Sequence, residues 1–560
     1  MRASPRTYLR RHPPDFAGLV GALVFFVISV TPSLLPRSWI FQSLVSGIAA
    51  AIGYAVGTLI GWALAAILRR VARGRRLPRK HVRAAWWGLA LVAAVVCTFA
   101  LAASARWQTQ LRAVVEVASP GPNYYLQMLG VSVAVFVALV AVARLLRAAA
   151  RALGRPLSWW IPAPVAMVLS SFAILGLALW AWSGLLYPSL LGAANSAFGA
   201  ANLETMDGSS PPRSPTHAGG PGSLLSWDSL GREGRQFVGR GPDLERLAAF
   251  GGDTPTDPVR TYVGLDSGDT SVVRADLAVR ELARAGGFER DVLVIATSTG
   301  TGWVDPAAID SLEYLHGGDS AIVAMQYSYF PSWLSFLVDQ QQAIESSRAL
   351  FDAVYGAWNA LDVADRPMLV VYGESLGVVG GASAFAGLDD LVDKIDGALW
   401  VGPPAADTML TDVVDGREPG TPSWQPVYEG GETVRFWIDA DDAEQRHDPA
   451  WEAPRVLVLQ HPSDPIARWT PELIWEEPQW LREPRADDVP GNLRWYPAVT
   501  FWQLTADVIR SRDVPAGFGH RYGDEHVDAW LAVAPPTDLE RWTPAELADL
   551  RDVIASHPAP

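Results

Sequence analysis

The fold class predicted is an N-terminal all-α transmembrane bundle followed by a C-terminal α/β domain with a mostly parallel sheet. Three observations predict it. Residues 1–190 contain five apolar runs without internal charge, the rest of the chain alternates short β-branched runs with helical patterns, and the balance of charge reverses between the two. The 560 residues are 49% hydrophobic and 19% charged, which excludes a disordered or fibrous chain. Of 45 Lys/Arg and 59 Asp/Glu, residues 1–190 hold 19 basic side chains against Asp15 and Glu116 alone. The first part therefore carries +17 and the remainder −31, so one chain serves two environments. The acidic part excludes nucleic acid as a partner, because phosphate contacts need stripes of Lys and Arg. A single cysteine, Cys97, excludes a disulfide framework and any Cys-built metal centre. No metal and no organic cofactor is expected.

The five runs are Phe16–Pro36, Gln42–Leu68, Ala84–Ser104, Tyr124–Ala143 and Ala163–Pro188. Each is long enough to cross a hydrocarbon core, which takes about 20 helical residues. The first follows an Arg-rich start but lacks a small-residue cleavage site, so it reads as a retained span. Orientation follows from the basic residues. Arg2, Arg6, Arg10 and Arg11 precede the first run. Arg69, Arg70, Arg73, Arg75, Arg76, Arg79, Lys80 and Arg83 follow the second, and Arg144, Arg147, Arg151 and Arg155 follow the fourth. The alternate loops carry only Arg37, Arg106 and Arg112. This pattern puts the N-terminus in the cytoplasm, and an odd number of spans puts everything after about Pro188 outside it, in a multi-pass protein of the cytoplasmic membrane.

The absence of ionisable residues inside the runs argues against transport, since a costly intramembrane charge persists for function. Gly53, Gly57 and Gly61 recur at four-residue spacing and permit close helix approach. Packing within one bundle is the first reading of that stripe, and a homo-oligomer through these helices the second. The lipid bilayer is the expected partner of the bundle.

Glu204–Gly222 is rich in Pro, Gly and Ser and reads as a tether, so the domains expected are 1–190, a linker 191–222, and 223–560. Strands are expected at Val259–Leu265, Asp291–Thr297, Ala321–Gln326, Pro367–Tyr372, Gly397–Val401 and Val456–Leu459. Helices are expected near Arg274–Ala285, Pro306–Leu315, Val338–Leu361 and Val378–Phe385. Such alternation indicates a parallel sheet covered on both faces.

The strongest chemical signal is Met368–Tyr372 running into Gly373-Glu-Ser375-Leu-Gly377. A Gly-x-Ser-x-Gly at the end of a strand and the start of a helix lifts the serine hydroxyl above the sheet on a strained turn. The helix N-terminus then favours developing negative charge. A serine nucleophile needs a base, and the base an orienting acid, in the chain order Ser, Asp/Glu, His. Asp464 follows the strand Val456–Leu459, where the acid is expected, although Asp-Pro is also ordinary turn chemistry. His520, in the Gly-flanked loop Gly517-Phe-Gly-His520, is the candidate base. His316, His447, His461 and His526 are competitors, with His461 read as a satisfied polar loop residue and His526 as a cap. The oxyanion hole is expected from the Leu376 N–H and from the loop Thr297–Trp303, with the Thr299 N–H nominated there. Residues 402–454 form a long insertion carrying Trp424, Tyr428, Phe436, Trp437 and Trp451. It reads as a lid whose aromatics make either a satellite core or the wall of an acyl or sugar site. Met325–Asp339 is similarly aromatic and suits either a pocket rim or a face turned to the membrane.

Several segments carry a resemblance: SLLSWDSLGREGRQFVGRGP, TGTGWVDP, LEYLHGGD, MQYSYFPSWLSFLVD, GESLG and ALWVGPP. With the hydrophobic N-terminal part, they make the chain similar to a bacterial, actinobacterial-type family of membrane-anchored alpha/beta-hydrolases with a multi-span N-terminal domain. The resemblance implies an alpha/beta-hydrolase fold with Ser375 as nucleophile, and supplies no substrate. The expected function is a serine hydrolase of ester-type bonds in an envelope lipid, glycolipid or acylated polymer. Acyl transfer by the same triad is one alternative, and a non-catalytic envelope binding or assembly protein is the other.

Overall fold

The computed structural model describes residues 14–71, 78–251, 255–405, 407–439 and 451–556. Arg2, Arg6, Arg10, Arg11, Arg73, Arg75, Arg76, His447 and part of the expected lid lie outside them. Two compact units are distinguished. One comprises the described residues up to Leu190 together with Pro471–Arg510, and the other comprises Leu191–Thr470 with the described residues from Ser511 onward.

The first unit is helical: α1 (Phe16–Ser29), α2 (Trp39–Val71), α3 (Arg79–Val114), α4 (Tyr124–Leu157) and α5 (Ala163–Ala181). Among the described residues, four helices are long and apolar enough to cross a membrane, the fourth running Ala163–Asn202. The expected first span is a correction: α1 has only 14 residues. Pro32 and Pro36 cannot donate to a helix and hold their neighbours extended, so the chain leaves the helix at Val30. The irregular stretch that follows is nonetheless buried, with Leu34 and Leu35 inside. Its backbone is satisfied by the helix Val499–Ile509. Gln503 donates to the Ser29 and Thr31 carbonyls (3.2 and 3.1 Å), and the Asp507 carboxylate accepts the Leu34 and Leu35 N–H groups (3.2 and 3.4 Å). Gly53 serves helix packing within the bundle, because a Cβ there would run into the Gly21 carbonyl on α1.

Among the described residues, the second unit is built on seven strands in the order β1-β3-β2-β4-β5-β7-β6, each neighbouring pair parallel. They are β1 (Val259–Val263), β2 (Val292–Thr297), β3 (Ser320–Met325), β4 (Met368–Glu374), β5 (Gly397–Val401), β6 (Val434–Trp437) and β7 (Arg455–Leu459). Val, Ile, Leu and Ala dominate them and are buried on both faces, as a parallel sheet sandwiched by helices requires. The expected helices lie at Ser271–Arg284, Pro306–Leu315, Gln340–Asn359 and Leu376–Ala382.

Two stretches differ from expectation. The tract read as a tether lies against β1: Ala218 is fully buried, its N–H donating to the Arg260 carbonyl at 2.9 Å. The insertion read as a lid contains β6, whose Phe436 and Trp437 belong to the main core, with Tyr428 and Trp451 packed against it. Those aromatics therefore stabilise the sheet edge.

Candidate active site

The register sets where the loops leave the sheet. Thr297 at the end of β2 pairs with Gly373, Glu374 with Val401, and Val401 with Leu459. The ends of β2, β4, β5 and β7 thus lie abreast, and the chain reverses its direction of winding between β2 and β4. Ligand sites of open parallel sheets form at that point.

Ser375 stands there in a left-handed conformation (φ 55°, ψ −125°), which a non-glycine residue rarely adopts without functional cause. Its N–H donates to the Val401 carbonyl at 2.9 Å, which fixes the turn to β5. The turn also needs Gly377, where a Cβ would collide with the Thr297 carbonyl. Leu376 opens the helix Leu376–Ala382, so its N–H has no acceptor four residues earlier within that helix.

Asp464 and His520 are brought together. The His520 Nδ1 lies 2.6 Å from Asp464 Oδ2, and both side chains are buried. Asp464 is held on every side: Tyr522 donates its hydroxyl to Oδ2 at 2.8 Å, and the Ile466 N–H donates to Oδ1 at 2.8 Å. Burial, followed by the charge of Asp464, pushes the Tyr522 phenol well above its ordinary value, so it remains a donor. The Ser375 hydroxyl is not brought into a hydrogen bond with His520, whose Nε2 is buried and makes no hydrogen bond. Ser375 itself is 8% exposed at the end of β4.

Thr299 is a correction. Its N–H donates to the Trp303 carbonyl at 2.9 Å, so it is not free for an oxyanion. The tight turn Thr299–Trp303 closes on itself by a two-way backbone pairing that its small residues permit. The next donor, the Gly300 N–H, is taken by the Tyr327 hydroxyl at 2.7 Å. Tyr327, from the aromatic stretch expected at the pocket rim, is buried against Leu376.

His461 is satisfied as expected, but its partners give it a positioning role. Its Nδ1 meets the Gly519 carbonyl and its Nε2 meets Glu525 Oε2, both at 2.8 Å, while its ring stacks on Tyr522. Burial alone would lower this histidine, but the charge and hydrogen bond of Glu525 outweigh it and push His461 up to about 9. Glu525 is itself pushed up by burial. The direction that stands is that of His461, because both ring nitrogens face acceptors and only the protonated ring donates to both. The Ser463 hydroxyl accepts the Gly519 N–H at 3.2 Å, so Gln460–Asp464 grips the residue next to His520 from two sides. His316 and His526 are committed elsewhere, to the carbonyls of Ala534 and Gly523.

A charged cluster not anticipated from the sequence lies beside Ser375. Glu374 Oε1 lies 3.1 Å from Arg512 Nη1 and 3.8 Å from His520 Nε2. Arg512 also reaches Asp305 at 3.4 Å and lies over the Trp303 ring at 4.0 Å. No group of three or more His, Cys, Asp or Glu side chains that could hold a metal occurs among the described residues.

Residues 259–550 match a family model described as "Alpha/beta-hydrolase family", and residues 30–242 match one described as "Alpha/beta-hydrolase family N-terminus". No curated protein and no solved structure matches the chain.

Proposed function

The chain belongs to the alpha/beta-hydrolase family, and from that premise we propose a membrane-anchored serine hydrolase acting on ester-type bonds. Ser375 attacks the carbonyl and passes its proton to His520 Nε2. Asp464 holds the imidazole tautomer and stabilises the ring while it is charged. The Leu376 N–H stabilises the oxyanion at the helix N-terminus. His520 then returns the proton to the leaving group, and a second nucleophile releases the acyl group from Ser375. Water as that nucleophile makes the reaction hydrolysis, and a lipid or glycan hydroxyl makes it acyl transfer.

The observation carrying this reading is the buried His520–Asp464 contact of 2.6 Å beside a serine held at φ 55°. The chemistry requires the serine hydroxyl to turn toward Nε2 when substrate engages, as catalytic hydrogen bonds tighten in the reacting complex. The Nε2 left without a hydrogen bond is also the specific observation behind a second reading, a hydrolase-like binding or assembly protein.

The helical unit supplies the anchor. Its apolar side chains face outward, Trp160 at 86% exposure and Leu126 at 75%, as residues touching lipid would. We place its Arg-rich ends, with Arg79, Lys80 and Arg83 and with Arg144, Arg147, Arg151 and Arg155, in the cytoplasm. With those ends in the cytoplasm, the helical run Ala163–Asn202 crosses once more, and this reading puts the unit of β1–β7 outside the cytoplasm. A substrate drawn from the bilayer or envelope, such as a lipid, glycolipid or acylated polymer ester, follows from that anchoring.

The test is labelling of membranes with a fluorophosphonate probe, comparing wild type with Ser375→Ala. Labelling lost in the variant supports the reading. Labelling that persists removes Ser375 from its role, and absence of labelling in both favours the binding protein.

A further inference from the structure

We infer that Glu374 is a second carboxylate partner of His520, a positioning residue that stabilises the protonated ring from its Nε2 side while it carries the serine proton. The inference rests on the reading of Ser375 as nucleophile and goes beyond the triad.

Glu374 is the residue before Ser375, at the last position of β4, and its side chain is buried. The strained turn that exposes the serine therefore also fixes the carboxylate. At 3.8 Å from Nε2, Glu374 Oε1 is too far to take the hydrogen bond that the serine needs, yet near enough to attract a charged imidazole. Asp464 occupies the Nδ1 side at 2.6 Å, so the ring lies between two carboxylates.

A buried carboxylate left alone would take up a proton. Burial, reinforced by the charge of Asp305, does push Glu374 upward, and Arg512 and His520 oppose that shift. Arg512 supplies the countercharge at 3.1 Å and is itself gripped by Asp305 and the face of Trp303. The Tyr372 hydroxyl donates to Glu374 Oε2 at 3.1 Å. Both carboxylate oxygens are thus oriented before substrate arrives. A buried ionic cluster contributes little to stability compared with apolar packing, so its place beside the nucleophile calls for a chemical role.

The step itself is the ordinary one. The Ser375 Oγ–H bond breaks as Oγ bonds to the carbonyl carbon, the proton goes to His520 Nε2, and Glu374 takes no proton. Its charge lowers the energy of the imidazolium that forms. The other groups facing the ring are Asp464 and Tyr522, with His461 and Glu525 behind them. Arg512 and Asp305 stand behind Glu374, and His526 faces Tyr372.

The experiment measures the second-order rate of fluorophosphonate labelling against pH for the purified full-length protein, for Glu374→Gln and for Glu374→Asp. Removing the charge makes the protonated ring less favourable, so the Gln variant labels about tenfold more slowly near neutrality. The acid limb of its profile also moves about one pH unit lower, the usual size of a nearby opposite charge's effect. The Asp variant keeps the limb in place. A merely structural role would lower the amplitude and thermal stability without moving the limb. Superposable limbs for wild type and the Gln variant overturn the inference. If the Gln variant does not fold, Glu374→Ala carries the same expectation. Wild-type protein without Ser375-dependent labelling instead overturns the nucleophile reading on which this one rests.

Discussion

The two compact units use similar apolar residues in opposite ways. In the unit of α1–α5, large side chains face outward: Leu91 on α3 is 67% exposed, and the buried positions are largely small or polar, such as Ser29, Ser46, Ala49 and Ser132. In the unit of β1–β7, Leu293, Val294, Ile295 and Val371 lie inside, while charged side chains such as Asp243, Glu245 and Arg246 are exposed. The first arrangement suits a solvent of lipid tails, where helices associate through close approach of small residues. The second suits water, where burying apolar area drives folding. The comparison teaches that exposure of an apolar side chain has meaning only together with the solvent it faces.

The comparison can be broken or sharpened by substitution. The largest effect is expected within the unit of β1–β7. Asp464→Asn keeps the shape of the buried acid but favours the wrong His520 tautomer, and should slow fluorophosphonate labelling by about 10⁴-fold with the thermal midpoint little changed. A smaller loss would mean that Asp464 serves the turn before Pro465 more than the ring.

Next comes the test of solvent. Leu91→Arg and Val363→Arg alter side chains of similar exposure, 67% and 78%, in the two units. In lipid the first should cost about 3 kcal/mol, read as loss of folded, membrane-inserted protein. The second, at a water-facing position, should stay within about 0.5 kcal/mol. Equal, small effects would contradict a lipid environment for α3.

The last test concerns the clamp on the loop of His520. His461 is held at about 9, above its ordinary 6.5, so the stability it contributes is fully present below about pH 6.5 and is lost as pH rises through 9. The loss should be on the order of 3 kcal/mol, and Glu525→Gln should flatten it in thermal unfolding followed from about pH 6 to 10.

Legibility in the sequence followed locality. The β-branched runs of β1–β5 and β7 and the apolar stretches of α2–α5 announce themselves, because a continuous buried strand or a spanning helix writes its burial into consecutive residues. The elbow and the loop positions after strands single out Ser375, Asp464 and His520, of which the structure brings the last two into contact. β6 was not, since four residues inside an irregular insertion resemble any short apolar patch. The end of α1 was masked by an apolar run that continues past Pro32 and Pro36. The contacts of Gln503 and Asp507 with Ser29–Leu35 span more than 470 positions, and no local pattern marks them. The same holds for Arg512, 138 residues from Glu374 in sequence. The Thr299 N–H was misassigned because a Gly-rich loop suggests free donors, whereas this one folds back onto the Trp303 carbonyl.

The central claim is that Ser375 is the activated nucleophile. Mass spectrometry of the fluorophosphonate-treated full-length protein, with the adduct localised by peptide fragmentation, tests it most directly. The account predicts one adduct per chain, on Ser375, and none after Ser375→Ala. An adduct on any other residue, with Ser375 unmodified, would contradict it.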